Sequence, residues 1–131
     1  DAGTVQVRGK VAYLFQEPRL LPAVSVWKNV RLAAKSDEAA QAALKLCRAE
    51  HFADKLPDTL SGGEKQRAAL ARFFVCGGDI LLLDEPFSAL DAETKEAVIQ
   101  NLLPYFRKKT TVLVTHSQAE AARLADETIR L

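Results

Sequence analysis

The stretch DILLLDEPFSALD, residues Asp79 to Asp91, decides how this chain folds. Its apolar run Ile80–Leu83 shows no alternation, which predicts a strand buried on both faces, as in parallel sheets covered by helices. Asp84 and Glu85 follow at once, at the carboxyl end of that strand. Ligands bind at this edge of open parallel sheets, so two adjacent acids there indicate a cation and a water to activate. The alternative is that the acids only end the strand and cap the next helix.

The composition is that of one globular domain. The chain has 131 residues, 48% of them hydrophobic, which is ample for a packed core. Its net charge of +1 gives no general attraction to nucleic acid or anionic lipid, and the basic run Arg107–Lys109 is interpreted as a solvated helix end. Cys47 and Cys76 lack metal-ligand spacing and are expected to be reduced thiols. No apolar stretch approaches the roughly 20 residues that a membrane span needs.

Hydrophobic periodicity predicts helices alternating with parallel strands, which is the α/β class. The expected strands are Lys10–Phe15, Ile80–Leu83, Thr110–Thr115 and a last strand over residues 127–131. The expected helices are two between Ser25 and His51, then Glu64–Val75, Ala92–Leu103 and Gln118–Leu124. We expect Pro104 to stop the fourth of these helices, because proline cannot donate the backbone hydrogen bond that a helix needs.

Polar side chains stand at the ends of three predicted strands. Gln16 follows the first, Asp84 and Glu85 follow the second, and His116 follows the third. If these strands are parallel neighbours, all four side chains line one edge of one sheet. Each has a structural interpretation when taken singly, but together they predict a site.

The octapeptide LSGGEKQR, Leu60 to Arg67, enters a helix through a serine and two glycines. Ser61 and Glu64 have the spacing of a capping box, so one interpretation is a well-capped helix. Gly62 and Gly63 are poor helix formers, each costing about 1 kcal/mol relative to alanine. They would let an anion such as phosphate approach the free backbone N–H groups of the helix start.

These motifs together resemble those of ATP-binding cassette (ABC) ATPases. LSGGEKQRAALAR is similar to the family's signature motif, ILLLDEP to its Walker B strand, SALD to its D-loop, YLFQEP to its Q-loop and VTHSQAEA to its switch-histidine segment. The motifs stand in the family's order and cover nearly the whole chain. The resemblance implies part of a P-loop NTPase (RecA-like) parallel-sheet core, formed by residues 1–16 and 77–131. Residues 17–76 would form a helical subdomain that carries the signature motif.

The resemblance also implies a role for each residue at the sheet edge. Asp84 would hold Mg²⁺, through water, and Glu85 would be the general base that activates the attacking water. His116 would contact the γ-phosphate of ATP. Gln16 would reach the metal and the water while sensing the membrane partner.

A second set of residues would act across a dimer. The resemblance implies that Ser61, Gly62 and Gly63 clamp the γ-phosphate of ATP held by the opposite subunit. Asp91 would contact that facing subunit. These residues would therefore complete a site to which another copy or a paired ATPase subunit contributes.

The sequence departs from the family in one large respect. The family needs a G-x-x-x-x-G-K-[ST] loop upstream of the Q-loop, and nothing in residues 1–15 matches it. DAGTVQVRG instead resembles the segment that follows the helix after that loop. Since the chain also has no Met, we expect it to be the carboxyl-terminal two-thirds of a cassette, inactive by itself. Two smaller departures are Ser117, where the family usually has Asp, and Cys76–Gly78, where it usually has a proline.

The expected function is that of the ATPase subunit of a membrane transporter. Such a subunit would pair with a second ATPase subunit and with integral-membrane permease subunits, at the cytoplasmic face of the cell membrane, without nucleic acid. FQEPRLLPAVSVWKNV, Phe15 to Val30, resembles the Q-loop region of importers of nitrate, sulfonates, taurine and related small organic anions, or of thiamine precursors. The resemblance therefore implies a small organic or inorganic anion as the favoured cargo. A non-catalytic half-site that offers only its signature loop is the alternative. A DNA-repair or chromosome-structure ATPase is disfavoured, because residues 17–60 leave no room for a long coiled coil.

Overall fold

A three-stranded parallel sheet with helices packed against it forms the frame of the molecule. The computed structural model describes residues 2–130. In chain order the elements are β1 (Val11–Leu14), α1 (Val26–Arg31), α2 (Asp37–Leu46), α3 (Gly62–Cys76), β2 (Ile80–Asp84), α4 (Ala92–Phe106), β3 (Thr110–Val114) and α5 (Gln118–Leu124). Two 3₁₀ turns, Glu50–Phe52 and Pro57–Thr59, lie between α2 and α3. The predicted α/β class is confirmed.

β2 is the central strand, as its apolar run indicates, with β1 and β3 parallel on either side. Leu81 and Leu83 are buried in the hydrophobic core, but Leu82 on the other face is only half-buried. Its neighbours Tyr13 and Val112 are exposed. The expectation of burial on both faces is therefore wrong for the described residues, because their core covers one face of the sheet only.

Helices α1, α2 and α3 pack on one another between β1 and β2 in sequence. Each begins at a serine whose side-chain oxygen accepts a backbone N–H in the first turn: Ser25, Ser36 and Ser61. Such caps satisfy donors that have no partner within the helix. The helices close a core that includes Val30, Leu44 and Leu70.

Pro104 does not stop α4, which continues to Phe106. The proline removes a backbone bond to the carbonyl of Gln100, but both residues are exposed, so water can satisfy that carbonyl. Phe106 is buried and lies 5.6 Å from Phe74, measured between ring centroids. Burial of Phe106 offsets the cost of the proline.

The segment ETIRL does not form the expected last strand over its described residues 127–130, and Leu131 lies outside the described residues. Ile129 is exposed, with no apolar surface against it in the described part of the chain. A strand needs a neighbour for its backbone groups, and the sequence pattern alone cannot supply one.

The glycines that follow α3 explain the second of the smaller family departures. Gly77 ends the helix with φ of +68°, a left-handed conformation that favours glycine, and its N–H donates to the Phe73 carbonyl. At Gly78 a Cβ would lie 2.9 Å from the Cβ of Ala12 on β1. A side chain at this position would therefore push the helix end away from the strand.

Candidate active site

The parallel register delivers the carboxyl ends of all three strands to one edge of the sheet. Asp84 ends β2 opposite Val114, the last residue of β3, and Leu14 ends β1 opposite Leu83. Glu85 follows β2 directly and His116 lies two residues beyond β3, and the structure brings them together. The N–H of His116 donates to Glu85 Oε1 at 2.8 Å, and His116 Nδ1 lies 3.4 Å from the same oxygen.

Glu85 is held from several sides. Its own N–H donates to the Val114 carbonyl at 2.8 Å, and its carbonyl accepts from Gln66 Nε2 at 3.1 Å and from Ser88 Oγ at 3.2 Å. Its φ is +46°, which is sparsely populated for a residue with a side chain. Such strain persists only where the surroundings fix it, and it concentrates at functional sites. The Glu85 side chain is 13% exposed, whereas that of His116 is 94% exposed.

Asp84 and Gln16 lie at the same edge but are not joined to this pair. Among residues 2–130 the Asp84 carboxylate has no hydrogen-bond partner, and the same holds for the exposed Gln16 amide, two residues beyond β1. No group of three His, Cys, Asp or Glu side chains suited to a metal occurs among the described residues. An unpaired carboxylate oxygen and an amide oxygen still fit Mg²⁺, which takes oxygen ligands and retains several waters.

The signature loop is built as a complete capping box. Ser61 Oγ accepts the N–H of Glu64 at 3.1 Å, and Glu64 Oε1 accepts the N–H of Ser61 at 3.0 Å, as the spacing predicted. The hydrogen bond from the Ser61 backbone lowers the pKa of Glu64. The cap interpretation of the sequence is thus confirmed. Any ligand-binding role of the same loop has to be compatible with this cap.

The two glycines of this loop differ in their surroundings. A Cβ on Gly62 would meet nothing within 4 Å, so packing within the chain does not require glycine there. A Cβ on Gly63 would lie 2.9 Å from the carbonyl oxygen of Ala89, so close packing does require glycine there. Space for an incoming group is therefore open on the Cβ side of Gly62 and closed on that of Gly63.

Asp91 caps α4. Its Oδ1 accepts the N–H of Thr94 at 2.9 Å, and this hydrogen bond lowers the pKa of Asp91. The side chain is exposed, so its second oxygen remains accessible. Capping within the chain and contact with another subunit are compatible at this residue.

Sequence reasoning missed a polar network beneath the His116 loop. Glu120, 6% exposed, accepts from Lys95 Nζ at 2.9 Å and from Thr115 Oγ1 at 2.7 Å. Thr115 Oγ1 in turn accepts the N–H of Ser117 at 3.0 Å, so the residues flanking His116 are both fixed. Ser117 also caps α5 through the N–H of Glu120, and its short hydroxyl serves as a good N-cap where the family usually has Asp. No spacing rule points to Lys95, since it lies 25 residues from its partner.

Gln66 was the other residue missed. It lies on α3, is 5% exposed, and contacts the loop after β2. A glutamine in a helical pattern is ordinarily a solvent-facing residue, so the sequence carries no signal for its burial.

The arrangement at the sheet edge suits proton abstraction from water. One oxygen of Glu85 is fixed by a backbone N–H, and the other has no hydrogen-bond partner among residues 2–130. A carboxylate held this way can accept a proton from a water molecule at a set position.

Comparisons with known proteins agree with this geometry. The family described as ABC transporter matches residues 2–88. An aliphatic sulfonates import ATP-binding protein of Pseudomonas savastanoi pv. phaseolicola is 47% identical over 136 residues, covering 100% of this chain and 51% of that protein. One of the same name from Nocardia farcinica is 45% identical, covering 100% of this chain and 56% of that protein. The chain thus spans about half the length of the curated relatives it matches.

Solved structures show the same likeness. A dimeric ATP-binding cassette in a post-hydrolysis state, bound to ADP and Pi, superposes with a TM-score of 0.77 and 35% identity, over 88% of this chain and 55% of that one. A bacterial Atm1-family ABC exporter with ATP bound superposes with a TM-score of 0.75 and 27% identity, over 86% of this chain and 22% of that one. With its sheet edge, its capped glycine loop and these matches, the chain belongs to the ABC transporter family, and its fold is that of the family's ATPase cassette.

Proposed function

We propose that this chain supplies the hydrolytic and signature portions of the ATPase subunit of an ABC importer for a small anion of the sulfonate class. The observation that carries the proposal is the pairing of Glu85 with His116 at the carboxyl edge of the sheet. The names of the sulfonate-import relatives support the class of cargo. The division into a core of residues 1–16 and 77–131 and a helical subdomain of residues 17–76 is part of the same proposal.

In this proposal Glu85 is the general base. Its Oε1 is held by the His116 N–H, so the carboxylate keeps one orientation and its other oxygen takes the proton of the attacking water. Phosphoryl transfer depends mostly on positioning and charge neutralisation, and a general base contributes about 10²–10⁴-fold. The exposed His116 side chain is free to contact the γ-phosphate. Asp84 and Gln16 would hold Mg²⁺, which when bound neutralises phosphate charge.

The signature loop acts on the nucleotide of a second subunit. Gly62 leaves the first backbone N–H groups of α3 open to an anion, and Ser61 adds its hydroxyl. Asp91, exposed at the start of α4, faces the same partner. The dimeric cassette among the similar structures supports this pairing of ATPase subunits.

The partner in the membrane would be a permease, with the ATPase subunit bound at the cytoplasmic face of the cell membrane. No helix formed by residues 2–130 combines the length and hydrophobicity needed to cross a bilayer. The permease contact is proposed from the import function in the relatives' names. Nothing in the charge of the chain favours nucleic acid instead.

The test is phosphate release from a loop-restored protein, meaning this chain joined downstream of the phosphate-loop segment of a sulfonate-import relative. We expect Mg²⁺-dependent ATP hydrolysis that Glu85→Gln reduces by about 10²-fold or more, with nucleotide affinity unchanged, because only the proton acceptor is lost. The 131-residue chain alone should show no turnover above its own Glu85→Gln variant. Hydrolysis at a near-parental rate in the loop-restored Glu85→Gln variant would rule out Glu85 as the base.

A further inference from the structure

We propose that Gln66 is a positioning residue for the general base, and that it ties the signature helix α3 to the loop that carries Glu85. The proposal rests on the function proposed above and deepens it. Gln66 itself contacts neither water nor nucleotide in this account. It acts through the backbone of residues 85–89.

Both ends of the Gln66 amide are used on that one loop. Its Nε2 donates to the Glu85 carbonyl at 3.1 Å and lies 3.3 Å from Ser88 Oγ. Its Oε1 accepts the N–H of Ala89 at 2.9 Å. Gln66 is 5% exposed, so these partners replace water that the amide has lost, and an unmade bond there would carry a desolvation cost.

The Glu85 backbone needs such support. At φ of +46° the residue occupies a strained conformation that persists only where its surroundings fix it. Three donors hold its carbonyl, namely Gln66 Nε2, Ser88 Oγ and the Ser88 N–H, and Ser88 Oγ is itself in contact with Gln66. The direction of the Glu85 side chain follows from this backbone conformation. Gln66 therefore helps to set where the carboxylate points.

The same residue joins two functional parts. Gln66 lies one helical turn beyond Gly62 and Gly63 on α3, so its side chain and the signature loop belong to one rigid element. Gly63 adds a second tie, because it packs directly against the Ala89 carbonyl. The start of α3 and the loop of residues 85–89 are therefore joined by two sets of contacts, one through Gln66 and one through Gly63.

The first test uses the 131-residue chain and does not depend on hydrolysis. Gln66→Met keeps the length and shape of the side chain but removes both amide ends. We expect exchange of the Ala89 amide hydrogen to become about tenfold faster, since its acceptor is gone. Gln66→Glu keeps an oxygen for the Ala89 N–H, so its exchange should stay slow. Gln41→Met, the same change at an exposed site on α2, is the matched control and should leave the exchange rate of the Ala89 amide unchanged.

The second test uses the loop-restored protein. Gln66→Met should lower kcat by about 10–100-fold, with nucleotide affinity unchanged. A displaced base weakens an interaction that is made only in the transition state, so substrate binding is not affected. Gln66→Glu should also lower kcat, since it places an acceptor against the Glu85 carbonyl. A merely structural role predicts instead a lower urea midpoint with kcat retained in the folded fraction.

The outcomes separate this proposal from the proposed function. Unchanged Ala89 exchange in Gln66→Met, or unchanged kcat in a loop-restored protein that Glu85→Gln inactivates, would overturn the role of Gln66 and leave the function intact. If the loop-restored protein does not hydrolyse ATP at all, the proposed function fails, and the exchange measurement still decides whether Gln66 holds the loop. If Gln66→Met does not fold, the effect on kcat is measured with Gln66→Glu instead.

Discussion

At the scale of single residues, the two signature glycines have separate reasons to be glycine. Gly63 sits against the Ala89 carbonyl, where a Cβ would approach to 2.9 Å, and that contact is internal to the chain. Gly62 faces open space. Packing within the chain therefore gives no reason for a glycine at position 62, whereas the proposed approach of a phosphate from another subunit would give one.

Alanine at each glycine should therefore have opposite effects on folding. We expect Gly62→Ala to raise the free energy of unfolding by up to about 1 kcal/mol, because alanine is the better helix former. Gly63→Ala should lower it by about 1–3 kcal/mol, because a backbone carbonyl has to give way. Urea denaturation of the 131-residue chain measures both. Equal shifts in the two variants would contradict the assignment of Gly63 to internal packing.

At the scale of secondary-structure elements, α4 and α5 hold the switch-histidine loop through one half-buried ion pair. Lys95 on α4 is 29% exposed and Glu120 on α5 is 6% exposed, so water screens the pair only in part. Glu120 also accepts from Thr115, which precedes His116. The network fixes both the helix start and the loop, while the His116 side chain stays exposed beside Glu85 Oε1.

Removing one partner of that pair should cost more than removing both charges. Lys95→Met should lower the free energy of unfolding by about 1–3 kcal/mol, because it leaves the Glu120 carboxylate buried without a cation. Adding Glu120→Gln should recover part of this loss, since the amide still accepts from Thr115. A double-mutant cycle measured by urea denaturation gives the coupling. Additive effects would show that the two side chains do not act together.

The sequence could predict the elements whose signals are local. The run Ile80–Leu83 and the β-branched run Thr110–Val114 indicated strands, and Ser61 with Glu64 indicated the cap of α3. Pro104 suggested the wrong end for α4. The cost of the proline is offset by the burial of Phe106 against a part of the chain that is distant in sequence. The sequence pattern of residues 127–131 suggested a strand, but a strand also needs a neighbouring strand to pair with its backbone groups.

In the candidate site, too, the residues with local signals could be predicted, and those that depend on contacts between elements could not. Strand-end positions placed Glu85 and His116 at one edge, where the structure joins them. Gln66 could not be found from the sequence, because its role depends on which loop α3 packs against. Lys95 and Glu120 could not be found for the same reason, since two helices meet only in the fold.

At the scale of the whole molecule, we propose that the chain carries two half-sites. The edge with Asp84 and Glu85 would serve the subunit's own nucleotide, while the start of α3 would serve a partner's. Gln66 links the two within one chain. We claim that the signature loop binds the phosphate of another subunit, which a helix that is merely well capped would not do.

ATP-dependent dimer formation by the loop-restored Glu85→Gln protein, measured by size-exclusion chromatography with light scattering, tests that claim most directly. Gly62→Asp places a carboxylate where the phosphate must approach, yet its Cβ meets no atom of its own chain within 4 Å, and an acid in the first helical turn is favourable. We therefore predict that Gly62→Asp abolishes the ATP-driven dimer while monomer nucleotide affinity and unfolding stability are retained, with the uncharged Gly62→Asn less severe. A Gly62→Asp protein that still dimerises fully with ATP would contradict the account and leave LSGGEKQR as a helix cap alone.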